Sequence, residues 1–248
     1  MAVIQEDFCL PSMGLTYGKP FDPHFRMRSM TVMDEMKRLS STENPYKLMC
    51  EIIDDCLIDK LPFSSYDACM FDYIYMLHKL RTVTYGSEYT MTYMCPICGN
   101  IEKLTFNLDE LPVKKFTENI KDSMTIKLPV NGDTIKLRFQ TPRDLDNIAR
   151  RAKEMKENFP EMQGDPTFLL TLESLIESVN NEPVNHMTIL ESIKKLSMKD
   201  INYLAKKATN LQDKVGIDTI INAHCSKCNN DVKTTFRYTS EFFGPEVD

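Results

Sequence analysis

The stretch TYMCPICGN, residues 92–100, carries two cysteines, Cys95 and Cys98, in a C-x-x-C spacing, with proline after the first and glycine after the second. Such a pair is half of a metal knuckle or a redox dithiol, and a structural zinc site takes four ligands. Of the eight cysteines in the 248-residue chain, only Cys225 and Cys228, in AHCSKCNND (223–231), repeat the spacing. Two such knuckles supply the four thiolates of a closed tetrahedral zinc site. Cys95, Cys98, Cys225 and Cys228 are therefore the expected ligands of a structural Zn2+. A redox dithiol of the thioredoxin kind caps a helix after a strand, whereas both pairs here lie between strand-like runs. The segment between the knuckles far exceeds the roughly 15–20 residues of a simple zinc ribbon, so something domain-sized fits between them.

The flanks suggest what it is. Gly86 stands nine residues before Cys95 and Gly216 nine before Cys225; Phe106 lies eight after Cys98 and Phe236 eight after Cys228. A helical pattern precedes each glycine, SSYDACMFDYIYMLHKL (64–80) and SMKDINYLAKKATNL (197–211), with Asp67 and Asp200 near the starts. Further upstream, LPSMG (10–14) matches LPVNG (128–132), and RMRSMTVMDEM (26–36) matches KLRFQTPRDLD (136–146), pairing Arg28, Thr31 and Asp34 with Arg138, Thr141 and Asp144. Thr-x-x-Asp before an apolar-periodic run is a capping-box-like helix start. Ordered landmarks of this kind point to an internal repeat, with unit 1 over 8–116 and unit 2 over 122–243. The expected fold is α+β: an internally duplicated unit of β-hairpin, helices and zinc-knuckle β-hairpin, its two halves joined by one shared four-cysteine, zinc-ribbon-like site.

Periodicity places helices at 31–41, 44–58 and 65–82 in unit 1 and at 142–157, 166–179, 187–196 and 198–211 in unit 2. MTIKLPVNGDTIKLRF (124–139) alternates around Asn131-Gly132, a type I′ hairpin signal; unit 1 has a longer, proline-rich version. The formal charge of −6 argues against general nucleic-acid binding. No apolar run approaches the ~20 residues of a membrane span, and the acidic N-terminus does not read as a signal peptide. Reduced thiols point to a cytosol. Sixteen methionines with no tryptophan read first as irregular core filling and second as adaptable contact surface. Cys9, Cys50, Cys56 and Cys69 read as free thiols, the last three at apolar helical positions. His24, His78, His186 and His224 are scattered, and no nucleophile–base–acid set, H-E-x-x-H or phosphate loop is present. No catalytic residue is expected.

The stretches LPSMGLTYG…RMRSMTVMDEM and LRTVTYGSEYTMTYMCPICG resemble the baseplate-hub family of T-even-like contractile-tailed phages. The opening L-P-S-x-G-x-x-Y and the YG…CP-x-C-G stretch carry the likeness, which covers most of unit 1 and the knuckle of unit 2. It implies a non-enzymatic hub component or hub assembly factor. Its partners would be other tail and baseplate hub proteins, with tape measure and central hub proteins as candidates. It would reside in the host cytoplasm during assembly or in the tail baseplate of the virion. The likeness leaves membrane contact open. The second knuckle departs from the pattern, having Asn229 where the first has glycine; asparagine also tolerates the left-handed conformation that such a turn needs. The alternative is a zinc-ribbon adaptor of a transcription or replication complex, which needs a basic, aromatic face beside the metal. Lys103, Lys227, Lys233 and Arg237 are nearly balanced there by Glu102, Asp109 and Asp231.

Overall fold

The computed structural model describes residues 5–161, 164–238 and 240–244. An antiparallel pair, β1 (Gln5–Cys9) and β2 (His24–Arg28), opens the chain. Helices α1 (Val32–Arg38), α2 (Pro45–Cys56) and α3 (Met70–Tyr85) follow, with a 3₁₀ turn at Ser65–Asp67 before α3. Strands β3 (Glu88–Met94) and β4 (Ile101–Asn107) form the first knuckle hairpin. The link holds β5 (Val113–Lys114) and α4 (Glu118–Asp122). A second hairpin, β6 (Thr125–Lys127) and β7 (Thr134–Leu137), leads into α5 (Pro142–Asn158) and α6 (Thr167–Ser174). Then come β8 (Ile176–Val179), β9 (Glu182–Pro183), α7 (His186–Lys194) and α8 (Met198–Gln212). β10 (Gly216–Ile217) precedes the second knuckle hairpin, β11 (Ile220–Cys225) and β12 (Asn230–Thr235). The protein is thus a mixed α/β fold of eight helices and small sheets among the described residues.

Local chemistry acts alike at matched positions. Thr31 caps α1 and Thr141 caps α5, each in a reciprocal capping box with the aspartate three residues on. Arg28 binds Asp34 at 2.7 Å and Arg138 binds Asp144 at 2.8 Å, which pins each incoming strand to the helix it feeds. Leu10 and Leu128, which directly follow β1 and β6, are both buried. After them the chain turns at Gly14 and Gly132, both with positive φ.

Four expectations change. At Asn131-Gly132 only the glycine has positive φ, and β6 and β7 are joined by the longer loop 128–133 rather than by a two-residue type I′ turn. The aspartate that matches Asp200 is Asp72, not Asp67. Both Asp72 and Asp200 occupy the third position of their helices, are fully buried, and accept backbone N–H groups of the Leu-Pro turns: Asp72 from Ser12 at 3.0 Å, Asp200 from Val130 at 2.9 Å. The helix expected over 65–82 breaks at Ala68, which leaves Asp67 free to bind Arg143 at 2.6 Å. The helix expected over 166–179 stops at Ser174, and β8 then pairs with β7. The missed signal is Asn180-Asn181, both at positive φ, which closes β8 onto β9 as a hairpin turn. After α2 the chain makes an isolated bridge to the first hairpin, Met27 to Leu57.

The two stretches anticipated as units do not stand apart. α1, α2, α5, α6 and α7 pack in sequence into one row of helices, with the α2–α5 contact crossing between the stretches. β5 pairs with β10, and the Met70 N–H bonds Gln140 O. Cys69 and Phe71 from the α3 start lie in the core built on β6, β7 and α8. Phe236, Phe242 and Phe243 return to the core built on β1, β2, α2 and α3. Phe242 O accepts from the buried Arg81 guanidinium at 2.9 Å. Apolar burial is therefore shared across the stretch boundary, and it cannot be lost on one side alone.

Candidate metal centre

Each knuckle is a tight turn at the tip of a two-stranded ribbon. The Gly99 N–H returns to Cys95 O at 2.9 Å and the Asn229 N–H to Cys225 O at 2.9 Å. Gly99 has φ +70° and Asn229 φ +53°, so the asparagine takes the left-handed conformation that glycine takes in the first knuckle. Tyr93, Cys95, Ala223, Cys225 and Val232 pack between the two ribbons as a small core, and this packing brings the tips face to face.

The four thiols converge there, all within 4.8 Å of one another. Cys95 Sγ lies 3.8 Å from Cys228 Sγ, and Cys98 Sγ lies 3.6 Å from Cys225 Sγ. A tetrahedron with Zn–S arms of about 2.3 Å has corners about 3.8 Å apart, so the sulfur spacing fits such an ion. Cys95 and Cys225 are buried, Cys228 is half-buried and Cys98 is exposed. Hydrogen bonding by Asn230 draws Cys228 down to about 6. Cys98 receives a lowering hydrogen bond from the Asn100 backbone, but desolvation and the neighbouring thiols push it up to about 12. One thiolate forms readily and opposes the next, a repulsion that a bound cation relieves. Four thiols so placed can hold a metal.

A carboxylate latch, which the sequence did not reveal, closes the site. Glu102 on β4 accepts from the Ser226 hydroxyl at 2.6 Å and the Ser226 N–H at 3.1 Å, and also from Tyr93 and Asn100. These bonds, led by the Ser226 hydroxyl, hold its pKa below the usual carboxylate value. The single Tyr93 hydroxyl proton is shared between Glu102 and His224 O, each at 3.2 Å. Glu102 and Ser226 are 124 residues apart, so only alternation along β4 hinted that Glu102 points anywhere in particular. His224, the one histidine adjoining a knuckle cysteine, points elsewhere: its ring nitrogens meet Asp231 and Asn229 at 2.8 and 3.1 Å. Cys50, Cys56 and Cys69 are buried free thiols whose pKa burial raises to about 12, as expected of core positions.

Two thiol-bearing ribbons closed on one another beside a scaffold of helices form a four-cysteine cluster of a metal-binding type. The chain belongs to the T4 bacteriophage base plate protein family, whose model matches residues 5–244. No curated protein and no solved structure matches it. Membership supports a structural role in the phage tail, with other baseplate and tail proteins as its neighbours.

Proposed function

We propose that this protein is a component or assembly factor of the central hub of the tail baseplate. In this reading it acts through protein–protein contacts rather than catalysis, and Cys95, Cys98, Cys225 and Cys228 hold one structural Zn2+. Closure of the two ribbons on a shared four-thiol site, in a chain of a baseplate family, carries the reading. The chemistry of the donor set favours zinc, since four thiolates suit a soft, tetrahedral ion and leave no open position. The reading also takes residues 8–116 and 122–243 as two copies of one unit. The paired capping boxes, the Asp72 and Asp200 contacts and the Gly99 and Asn229 turns support that, because they recur in the same order along the chain. Family membership favours the tail role over the adaptor alternative, as does the lack of excess positive charge around the knuckles.

When bound, the ion supplies cross-linking rather than activation. Because α2–α5, β5–β10 and the returning aromatics already join the two stretches, loss of the ion loosens the knuckle tips around 95–98 and 225–228 and leaves the helices in place. The test combines metal analysis with infection. Gently purified protein should carry about one zinc per chain, and Cys225→Ser should lose it with little change in helical circular dichroism. Infection with Cys225→Ser phage should stall tails before the hub is complete while heads form normally. Less than half an equivalent of metal, or a normal burst from metal-free protein, overturns the reading.

A further inference from the structure

Helix α1 is inverted. Its inward side carries Asp34, bound to Arg28, and Arg38, bound to Glu35 at 2.7 Å and lying over the Phe243 ring. Its apolar residues face solvent: Val32 is 77% exposed, Met33 70%, Met36 62% and Leu39 68%. Helical spacing puts Val32, Met36 and Leu39 in one stripe with Met33 beside it. A surface helix normally does the opposite, and a contiguous exposed apolar face marks an interaction site.

Two further observations say what covers it. α1 is the terminal helix of the row α1, α2, α5, α6, α7, so its open face continues a helix-on-helix interface already in use. The matched offset of 110 residues places Met33, Met36 and Leu39 at the positions of Arg143, Asp146 and Ala149. On α5, Arg143 and Asp146 receive unit 1: Arg143 binds Asp67 and Asp146 binds the α2 start. On α1 the corresponding stripe is apolar and unpartnered among the described residues. Charge narrows the choice. Beside Met33, Lys37 is shared by Asp55 at 3.0 Å and Glu51 at 3.3 Å, two half-exposed carboxylates for one ammonium. A second copy presents the same flank of two carboxylates for one ammonium, so a self-pair supplies no extra cation for Glu51 and Asp55.

We infer that the α1 face docks an amphipathic α-helix of another baseplate protein, with apolar residues at i, i+3/i+4 and i+7 and a lysine- or arginine-bearing flank that meets Glu51 and Asp55. This rests on the tail role proposed above. The two methionines let the stripe adapt to its partner.

The test places a photo-crosslinking benzoylphenylalanine at position 36 during infection, with exposed position 206 on α8 as the control. Crosslinks specific to position 36 should map to a basic-flanked amphipathic helix of another tail protein. Crosslinks to a second copy or to lipid, or a yield no higher than at position 206, overturn the inference. Met36→Glu should cut incorporation into purified tails about tenfold or more, and Met36→Leu should restore it. Glu51→Lys should weaken incorporation while the purified protein keeps its melting point and metal. Equal incorporation of Met36→Glu and native protein sinks the docking site alone. Absence of the native protein from tails and tail intermediates alike sinks the tail role and the inference together.

Discussion

Replacing Asp146 should show how firmly the two stretches are coupled without metal. Asp146 is on α5 and only 4% exposed, yet its carboxylate caps a helix a hundred residues earlier. It accepts the Lys47 N–H at 2.9 Å and the Tyr46 N–H at 3.4 Å, the first free amides of α2 after Pro45, and the Tyr66 hydroxyl at 3.1 Å. The local cap residue, Asn44, makes no side-chain cap bond. Asp146→Ala therefore removes a helix cap worth ~1 kcal/mol. It also leaves the buried Tyr66 hydroxyl without its charged acceptor, at ~1.5–3 kcal/mol. The sum is about 3 kcal/mol. For a chain of this size that lowers the melting temperature by roughly 6–12 °C. Asp146→Asn keeps one acceptor oxygen and should lose about half as much. Urea unfolding followed by far-UV circular dichroism measures both, on zinc-loaded and on chelated protein. The reasoning fails if Asp146→Ala costs less than ~1 kcal/mol, or if it destabilises only chelated protein, because the α2–α5 joint would then add nothing that the metal does not.

Two further outcomes follow from single positions. Gly216 has φ +97°, and a Cβ there would meet Phe71 Cβ at 2.9 Å, whereas Gly86 has φ +90° and open space around it. Gly216→Ala should therefore cost more, about 2–4 kcal/mol against ~1 for Gly86→Ala; equal urea midpoints would contradict the packing of α3 on β10. His78 is buried between Leu108 O and the Tyr238 hydroxyl, both at 3.1 Å, and burial lowers its pKa from 6.5 to about 4. Its folded value being depressed, its contribution is intact above about 6.5 and is lost as pH falls toward 4, by up to ~3 kcal/mol. Burial raises Asp72 to about 6, which works in the opposite sense over much of that window. His78→Gln should thus gain stability on acidification from pH 6 to 4 while the native protein stays nearly flat; identical pH profiles would remove His78 from the account.

Features decided by neighbouring residues were legible in the sequence. Thr-x-x-Asp satisfies its own helix start, so Thr31 and Thr141 cap as expected. Asn131-Gly132 marked a turn but not its length, since only Gly132 takes positive φ and the loop runs from Leu128 to Asp133; the φ tolerance of asparagine put Asn229 where glycine sits in the other knuckle. The two C-x-x-C pairs were visible as partners because nothing else in the chain matched their spacing, and the fold brings all four sulfurs together. What tertiary structure alone decided involves groups far apart in the chain. Asp72 displaced Asp67 as the match for Asp200 because the criterion is which carboxylate reaches the Leu-Pro turn, and helix periodicity does not encode that distance. Asp146 reads as a polar residue on an amphipathic helix until α2 supplies its amides, and Glu102 reads as a surface charge until Ser226 arrives. The helical pattern over 65–82 lies largely within the core as α3, whereas α1 turns its methionines outward. A helical pattern defines an apolar face, but whether that face meets the core or the solvent depends on what the rest of the chain leaves uncovered, a choice made by packing across the whole molecule.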